Sequence, residues 1–171
     1  NKYTNEKITT GFIYLIRDPR DIVVSWSKHQ GFDFDTTIEH MINQQSISRT
    51  SKSSKGIPMN LLRWDQNYKS WKNLDVPHMF IKYEELLKDT EKLIKEIFYF
   101  FENNFGFKIN NFNTILKNII SSTNFYTLQK TETTKGFKET NKSQFFRKGL
   151  SNQWESSLSN SQIDRLNKEF K

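Results

Sequence analysis

The stretch GFIYLIRDPR, residues 11–20, decides the fold of this chain. Its first six residues are apolar throughout, which predicts a strand of a parallel sheet that is covered on both faces. Asp18 can then cap a helix in which Pro19 holds the first position, where its missing N–H costs nothing. This turn places Arg17 and a helix N-terminus at the carboxyl end of the strand, where open α/β sheets bind phosphorylated ligands.

The composition indicates one domain, residues 1–171, with an anionic partner. Hydrophobic residues make up 35% of the chain and aromatic residues 15%, so phenylalanine and tryptophan supply much of the core. The formal net charge of +7 favours a nucleic acid, an anionic membrane or a phosphorylated small molecule. Because the lysines are scattered, an ordinary solvated surface is an alternative explanation of the charge.

The absence of cysteine limits the kinds of cross-link and metal site that the chain can form. With no cysteine, disulfides and thiolate metal sites are excluded, and we expect no metal. The same count is compatible with a reducing compartment, so we expect a cytoplasmic location. No apolar run reaches the length of a transmembrane helix.

The remaining elements predict an α/β fold with few strands. A second apolar strand is expected at residues 76–83, and polar loops at residues 49–56 and 131–144. Since a two-stranded sheet is marginal by itself, the sequence indicates the C-terminal part of a longer α/β domain. Amphipathic patterns predict helices at residues 36–48, 58–73, 84–103, 112–120 and 159–170.

A second basic cluster lies in FFRKGLSNQW, residues 145–154. Arg147 and Lys148 supply charge there, and Gly149 lets the backbone approach an anion without a Cβ in the way. Phe145, Phe146 and Trp154 suggest that the loop is anchored to the core. We expect this cluster and Arg17 to meet around one phosphate.

Ser25 extends the first cluster, because it lies seven residues after Asp18 on the same face of the predicted helix. Its hydroxyl could add a hydrogen bond to a phosphate oxygen held by the planar guanidinium of Arg17. The alternative is that Arg17 pairs with Asp18, Asp21 or a distant carboxylate, and that Ser25 is a small packing residue.

At this point the chain resembles a known family. IYLIRDPRDIVVSW, residues 13–26, resembles the 3′-phosphate-binding strand, loop and helix of the sulfotransferases that use 3′-phosphoadenosine 5′-phosphosulfate (PAPS). FFRKGLSNQW resembles the Arg-Lys-Gly loop that closes over the same nucleotide. Residues 80–101 resemble the strand and Tyr-Glu helix between these motifs, and residues 123–125 resemble the family's Thr-Ser-Phe. The motifs occur in the family's order and span essentially the whole chain.

The resemblance implies a P-loop-NTPase-like fold and a role for each matching residue. Arg17 and Ser25 would bind the 3′-phosphate, and the loop at residues 147–149, Arg147, Lys148 and Gly149, would complete that pocket. Tyr83 would contact the adenine, with Thr123 and Phe125 beside it. A satisfied buried tyrosine and a core phenylalanine are the alternatives for Tyr83 and Phe125.

The resemblance also implies which parts of the family's site these residues do not match. The Gly-rich loop that holds the 5′-phosphosulfate and the catalytic histidine would both lie upstream of residue 1. None of His29, His40 and His78 is a good substitute for that histidine, so we expect no catalytic residue in this chain and negligible turnover by it alone.

Partners follow from the same likeness. The reaction would transfer a sulfuryl group from PAPS to an unidentified acceptor hydroxyl or amine. Residues 155–164 carry Glu155 and Asn160 where the family's dimer motif has lysine and valine, so a dimer of that type is not expected. One alternative is a non-catalytic fragment that binds adenosine 3′,5′-bisphosphate. Another is a basic nucleic-acid-binding protein. Because the basic residues form no continuous stripe and match no nucleic-acid motif, we expect no nucleic-acid partner.

Overall fold

The computed structural model describes residues 6–43, 47–48, 59–60, 62–140 and 143–171. The loop predicted at residues 49–56 lies outside them. The described residues form four strands, eight α-helices and one 3₁₀ helix. In chain order the elements are β1 (Phe12–Ile16), α1 (Pro19–Gln30), α2 (Phe34–Ile42), β2 (Ile47–Ser48), β3 (Met59–Asn60), α3 (Trp64–Lys72), β4 (His78–Lys82), α4 (Tyr83–Lys88), α5 (Thr90–Phe105), α6 (Phe112–Thr123), α7 (Phe125–Lys135), the 3₁₀ helix (Gln153–Ser156) and α8 (Asn160–Glu169).

The two predicted strands form the parallel pair that organises the fold. β1 and β4 run side by side from the pair Phe12 and His78 to the pair Ile16 and Lys82. β2 and β3 form a separate two-residue antiparallel ladder that the sequence did not indicate. Because β1 and β4 are parallel, their carboxyl ends meet at one edge, and α1 and α4 both start there.

Helix α3 covers one face of the parallel pair with aromatic side chains. Trp71 lies 5.1 Å from Phe12, and Tyr68 lies 5.3 Å from Phe80, between ring centroids. The opposite face of β1 is not covered by the described residues, since Ile13 is 37% and Leu15 54% exposed. The expectation of a strand covered on both faces is therefore wrong for the described part of the chain.

The turn between β1 and α1 forms as its residues dictate. The carboxylate of Asp18 accepts a 2.8 Å hydrogen bond from the backbone N–H of Arg20, and Pro19 takes the first helical position. The backbone N–H of Asp18 donates to Glu84 Oε1 at 3.0 Å, which ties the end of β1 to α4. α1 stops at Gly31, whose φ of 70° suits a left-handed cap.

The main core lies between α1, α2 and α8. Val23, Ile38 and Leu166 are at most 1% exposed there. The helix that delivers Leu166 begins with the predicted capping box, in which Ser159 and Gln162 satisfy each other's backbone N–H groups. This core fixes the position of α1, and with it the face that α1 turns towards the strand ends.

Four helices differ from the prediction. The helix expected over residues 58–73 is α3, which begins only at Trp64, and Met59–Asn60 form strand β3 instead. α2 ends at Ile42, where residues 36–48 were expected to be helical throughout. The helix expected over residues 84–103 is two helices, because Asp89 leaves the helical conformation and caps α5 by accepting from the N–H of Lys92. α7 continues to Lys135, inside the segment expected to be a loop. Among the described residues, no helix has the length and apolar character that a membrane span requires.

Candidate functional site

A cavity of about 970 Å³ opens at the carboxyl ends of β1 and β4. Its walls come from the end of β1, from one face of α1, from α4 to α7, and from the loop that follows α7. Every site residue predicted from the sequence lines it: Arg17, Ser25, Tyr83, Thr123, Phe125, Arg147, Lys148 and Gly149. The fold therefore brings together two basic clusters that are about 130 positions apart in the sequence.

Arg17 is held between a strand end and an aromatic ring. Its guanidinium carbon lies 4.3 Å from the centroid of the Tyr83 ring, which is cation–π distance. Its Nη2 donates to the carbonyl oxygen of Leu150 at 3.0 Å. Among the described residues, its Nε is buried without a hydrogen-bond partner. A buried N–H group without a hydrogen-bond partner lowers the stability of the fold. A ligand oxygen in the cavity that accepts from this group would remove that cost.

Asp21 positions this arginine, as the alternative interpretation of the sequence partly foresaw. Its carboxylate is 1% exposed and lies 3.7 Å from Arg17 Nη2. It also accepts from the backbone N–H groups of Asn152, at 2.8 Å, and Trp154, at 3.2 Å. Asp21 thus fastens the loop that contains the second basic cluster to the first turn of α1.

Asp18 does not pair with Arg17 but with Arg20, at 2.6 Å. Burial by itself would raise the pKa of the Asp18 carboxyl, but hydrogen bonds from the side chain and backbone N–H of Arg20 outweigh it and leave the pKa below its ordinary value. The guanidinium of Arg20 lies 3.9 Å from the Trp154 ring centroid. Arg20 therefore stabilises the fold through Asp18 and Trp154, although it belongs to the same Arg-Asp-Pro-Arg sequence as Arg17.

The second basic cluster approaches the cavity on a braced loop. Arg147 Nη2 donates to Gln153 Oε1 at 2.7 Å, which holds the half-buried guanidinium in place. Lys148 is exposed and lines the cavity rim. The two side chains thus differ in how firmly they are held, because Arg147 has a hydrogen-bond partner and Lys148 extends into solvent.

Gly149 is required for a reason that the sequence did not indicate. Its φ is +61°, and a Cβ on it would lie 2.4–2.9 Å from ring atoms of Phe125. The glycine therefore lets the loop pack directly on an aromatic ring that lines the same cavity. Close approach to an anion was the reason expected from the sequence, whereas the structure shows close approach to Phe125.

We expect Gly149→Ala to reduce the free energy of unfolding by at least about 1 kcal/mol more than Gly106→Ala. Gly106 is the matched control, because its φ of +68° imposes similar backbone strain while no atom lies within 4 Å of the added Cβ. Urea denaturation followed by circular dichroism measures both variants. Equal losses would contradict a structural role for the contact with Phe125.

Thr123 and Phe125 enter the cavity at the junction of two helices. Thr123 ends α6 and donates its hydroxyl to the carbonyl oxygen of Ile119 at 2.7 Å. Asn124 caps α7 by accepting from the N–H of Thr127, so Phe125 starts that helix with its ring against the loop. The apolar walls that complete this side of the cavity are Ile22, Leu86, Ile94, Ile119 and Ile120.

One histidine also reaches the cavity. His29, in the last turn of α1, lines the wall and lies edge-on to Phe145 with ring centroids 5.9 Å apart. His40 stacks on Phe32, and His78 on Phe12, outside the cavity. In the described part of the chain, no cluster of His, Cys, Asp and Glu side chains could hold a metal ion.

The arrangement suits a ligand with an anionic group and a planar apolar part. Arg17, Arg147 and Lys148 supply positive charge, while Tyr83 and Phe125 supply aromatic surface. The sequence predicted these residues but not the backbone contacts that hold them. Asp21 was considered as an ionic partner of Arg17, and its hydrogen bonds from the N–H groups of residues 152 and 154 were not foreseen. Glu132 on α7, which accepts from the backbone N–H groups of residues 145 and 146, was not identified. No local pattern marks these contacts, since the donors lie on a distant loop.

The chain is similar to known proteins along nearly its whole length. The sequence model of the family described as "Sulfotransferase domain" matches residues 6–171. A 3-beta-hydroxysteroid sulfotransferase of Cavia porcellus is 26% identical over 165 residues, which cover 91% of this chain and 53% of that protein. The chain thus spans about half the length of this curated relative.

Solved structures show the same fold. A mouse sulfotransferase, SULT7A1, complexed with PAP, superposes with a TM-score of 0.64 at 22% identity, covering 92% of this chain and 55% of the other. A retinol dehydratase in complex with androsterone and the inactive cofactor PAP gives a TM-score of 0.65 at 20% identity, covering 92% and 45%. The expected α/β fold of the P-loop-like sulfotransferase type is confirmed.

Proposed function

The chain belongs to the sulfotransferase family, and on that premise we propose that it supplies the nucleotide-binding part of a PAPS-dependent sulfotransferase. The proposed reaction transfers a sulfuryl group from PAPS to an acceptor hydroxyl or amine. The observation that carries the proposal is the convergence of all eight motif residues on one cavity at the strand ends. We also propose that residues 1–171 form one incomplete sulfotransferase domain, in keeping with the exposed Ile13 and Leu15 on β1.

We assign the 3′-phosphate to the side of the cavity where the two basic clusters meet. Arg17 offers a guanidinium fork, which suits bidentate contact with phosphate oxygens, and an Nε that is buried without a partner among the described residues. Ser25 lines the same wall from α1, and Arg147 and Lys148 approach from the loop. Two arginines and a lysine around one dianionic group give the attraction that a buried phosphate needs.

We assign the adenine to the aromatic and apolar side of the cavity. Tyr83 and Phe125 present ring surface there, and Thr123 offers a hydroxyl at the junction of α6 and α7. One side of Tyr83 is covered by the guanidinium of Arg17. In this assignment Tyr83 therefore links the two parts of the nucleotide site, since it supports the phosphate-binding arginine and borders the purine.

The residues of this chain hold the nucleotide in our proposal, and none is assigned a catalytic role. When bound, PAPS supplies the sulfuryl group and a nucleotide leaving group. Arg17, Arg147 and Lys148 orient that nucleotide through its 3′-phosphate. The acceptor stays unassigned. The cytoplasm remains our proposed compartment, on the basis of the cysteine-free composition.

Calorimetric titration tests the proposal. Adenosine 3′,5′-bisphosphate should bind the chain in a saturable one-to-one complex, and Arg147→Ala should weaken it about tenfold by removing one charge-assisted contact. Arg165→Ala is the matched control, because Arg165 pairs with Glu39 on α2 and is not among the residues that line the cavity. The absence of binding would refute the proposal. Binding to DNA with steep salt dependence would favour a nucleic-acid-binding protein.

A further inference from the structure

Glu132 is a buried carboxylate behind the cavity. It belongs to α7 and is 7% exposed, while Thr131 and Thr133 beside it are exposed. One carboxylate oxygen accepts from the backbone N–H of Phe145 at 2.7 Å and from the hydroxyl of Thr140. The other accepts from the backbone N–H of Phe146 at 2.9 Å. Both oxygens are therefore engaged with the segment that leads into the basic cluster.

Gln129 extends this attachment by one helical turn. Its Nε2 donates to the carbonyl oxygens of Phe146, at 2.8 Å, and Arg147, at 3.1 Å. Together the two side chains hold two N–H groups and two carbonyl groups of consecutive residues, and the last of these residues is Arg147. The backbone just before Lys148 and Gly149 is thus fixed to one face of α7.

The same helix also contacts the far end of the loop. α7 begins at Phe125, whose ring lies where a Cβ of Gly149 would be. A single helix therefore sets the distance between an aromatic wall of the cavity and its cations.

The hydrogen bonds of Glu132 also favour its charged form. Burial by itself would raise the pKa of Glu132, but hydrogen bonds from Thr140 and from the N–H groups of Phe145 and Phe146 outweigh it and lower the pKa.

We propose that Glu132 is a positioning residue that holds Arg147, Lys148 and Gly149 in the geometry that binds the nucleotide's 3′-phosphate. The inference rests on the proposed function for its ligand, and on the hydrogen bonds of Glu132 for its geometry. Glu132 does not line the cavity, so it acts through the loop. A glutamine at this position keeps the size of the side chain but presents an NH₂ group to one of the donors, which frees that side of the loop.

The test compares Glu132→Gln with Glu139→Gln in the full chain. Glu139 is exposed and lies seven positions away, so its variant makes the same change of charge without touching the loop contacts. We expect Glu132→Gln to weaken adenosine 3′,5′-bisphosphate binding about tenfold. Amide hydrogen exchange at Phe145 and Phe146, measured by NMR, should become faster while exchange in α1 and α8 is unchanged. Glu139→Gln should change neither quantity.

A double-mutant cycle with Arg147→Ala separates positioning from general destabilisation. In the Arg147→Ala background, Glu132→Gln should cost clearly less than tenfold, because one of the cations that it positions is gone. An undiminished tenfold loss there, or unchanged exchange at both amides, would overturn the inference. If the wild-type chain binds no nucleotide, the proposed function fails, and the exchange measurement alone decides whether Glu132 anchors the loop.

Discussion

Replacing Arg17 by alanine should weaken the binding of adenosine 3′,5′-bisphosphate about 100-fold, or about 2.7 kcal/mol. In the part of the chain that the structure describes, Nε of Arg17 is buried without a hydrogen-bond partner, and the guanidinium carbon lies 4.3 Å from the Tyr83 ring centroid. The variant removes the proposed bidentate phosphate contact and also the support of Tyr83. Isothermal titration calorimetry measures the affinity directly.

Arg17→Lys separates charge from geometry. Lysine keeps the positive charge but lacks the planar fork and stacks less well on an aromatic ring. We expect an affinity between those of the wild type and Arg17→Ala, about tenfold below the wild type. Circular dichroism must show that both variants are folded, because each replaces the guanidinium that lies beside the buried Asp21. If folded Arg17→Ala binds as well as the wild type, Arg17 does not contact the phosphate.

Asp21→Asn should lower the free energy of unfolding by about 3 kcal/mol. Asp21 is 1% exposed, and its two oxygens accept from the backbone N–H groups of Asn152 and Trp154. An asparagine can accept from one of these groups and presents an NH₂ donor to the other. The change also removes the negative charge beside Arg17, which leaves a half-buried guanidinium without its ionic neighbour. Urea denaturation followed by tryptophan fluorescence measures the loss.

Asp35→Asn is the matched control for that experiment. Asp35 lies in the first turn of α2, as Asp21 lies in the first turn of α1, so both variants lose a similar interaction with a helix dipole. Asp35 is exposed, and its replacement should cost less than about 0.5 kcal/mol. If the two variants lose the same free energy, the hydrogen bonds from residues 152 and 154 contribute nothing measurable to stability.

The parts of the fold that the sequence predicted correctly are those with local signals. An apolar run followed by Asp18 and Pro19 predicts both the end of β1 and the start of α1, which lie within a few residues of each other. Ser159 and Gln162 likewise mark the start of α8 by a reciprocal pair of hydrogen bonds. Each of these signals needs only neighbouring residues, so tertiary contacts do not alter it.

The errors concern segments where tertiary contacts or side-chain caps decide the structure. The polar end of α7 has no hydrophobic periodicity, and its Glu132 is buried by contacts with a loop 13 and 14 positions away. The break at Asp89 had a usable signal, because an Asp-Thr-Glu sequence is typical of a helix start. A continuous amphipathic pattern across residues 84–103 concealed it.

In the candidate site, too, some contacts could be predicted from the sequence and others depend on the tertiary structure. Arg17 and the Arg147 loop could be paired from the sequence because the family resemblance supplied their long-range relation, and the cavity brings them together. The backbone contacts that hold them could not be inferred. Asp21 was considered as an ionic partner of Arg17, yet its shortest contacts are with backbone N–H groups 131 and 133 positions away. Spacing along the chain carries no information about such contacts.

Recognition of the 3′-phosphate by this chain can be tested by a pair of titrations. Adenosine 3′,5′-bisphosphate and adenosine 5′-monophosphate share the adenine, the ribose and the 5′-phosphate, and differ only in the 3′-phosphate. The wild-type chain should bind the bisphosphate at least about 100-fold more tightly, since Arg17 and the Arg147 loop would contact the group that distinguishes the two. Equal affinities for the two nucleotides would contradict recognition of the 3′-phosphate by these residues.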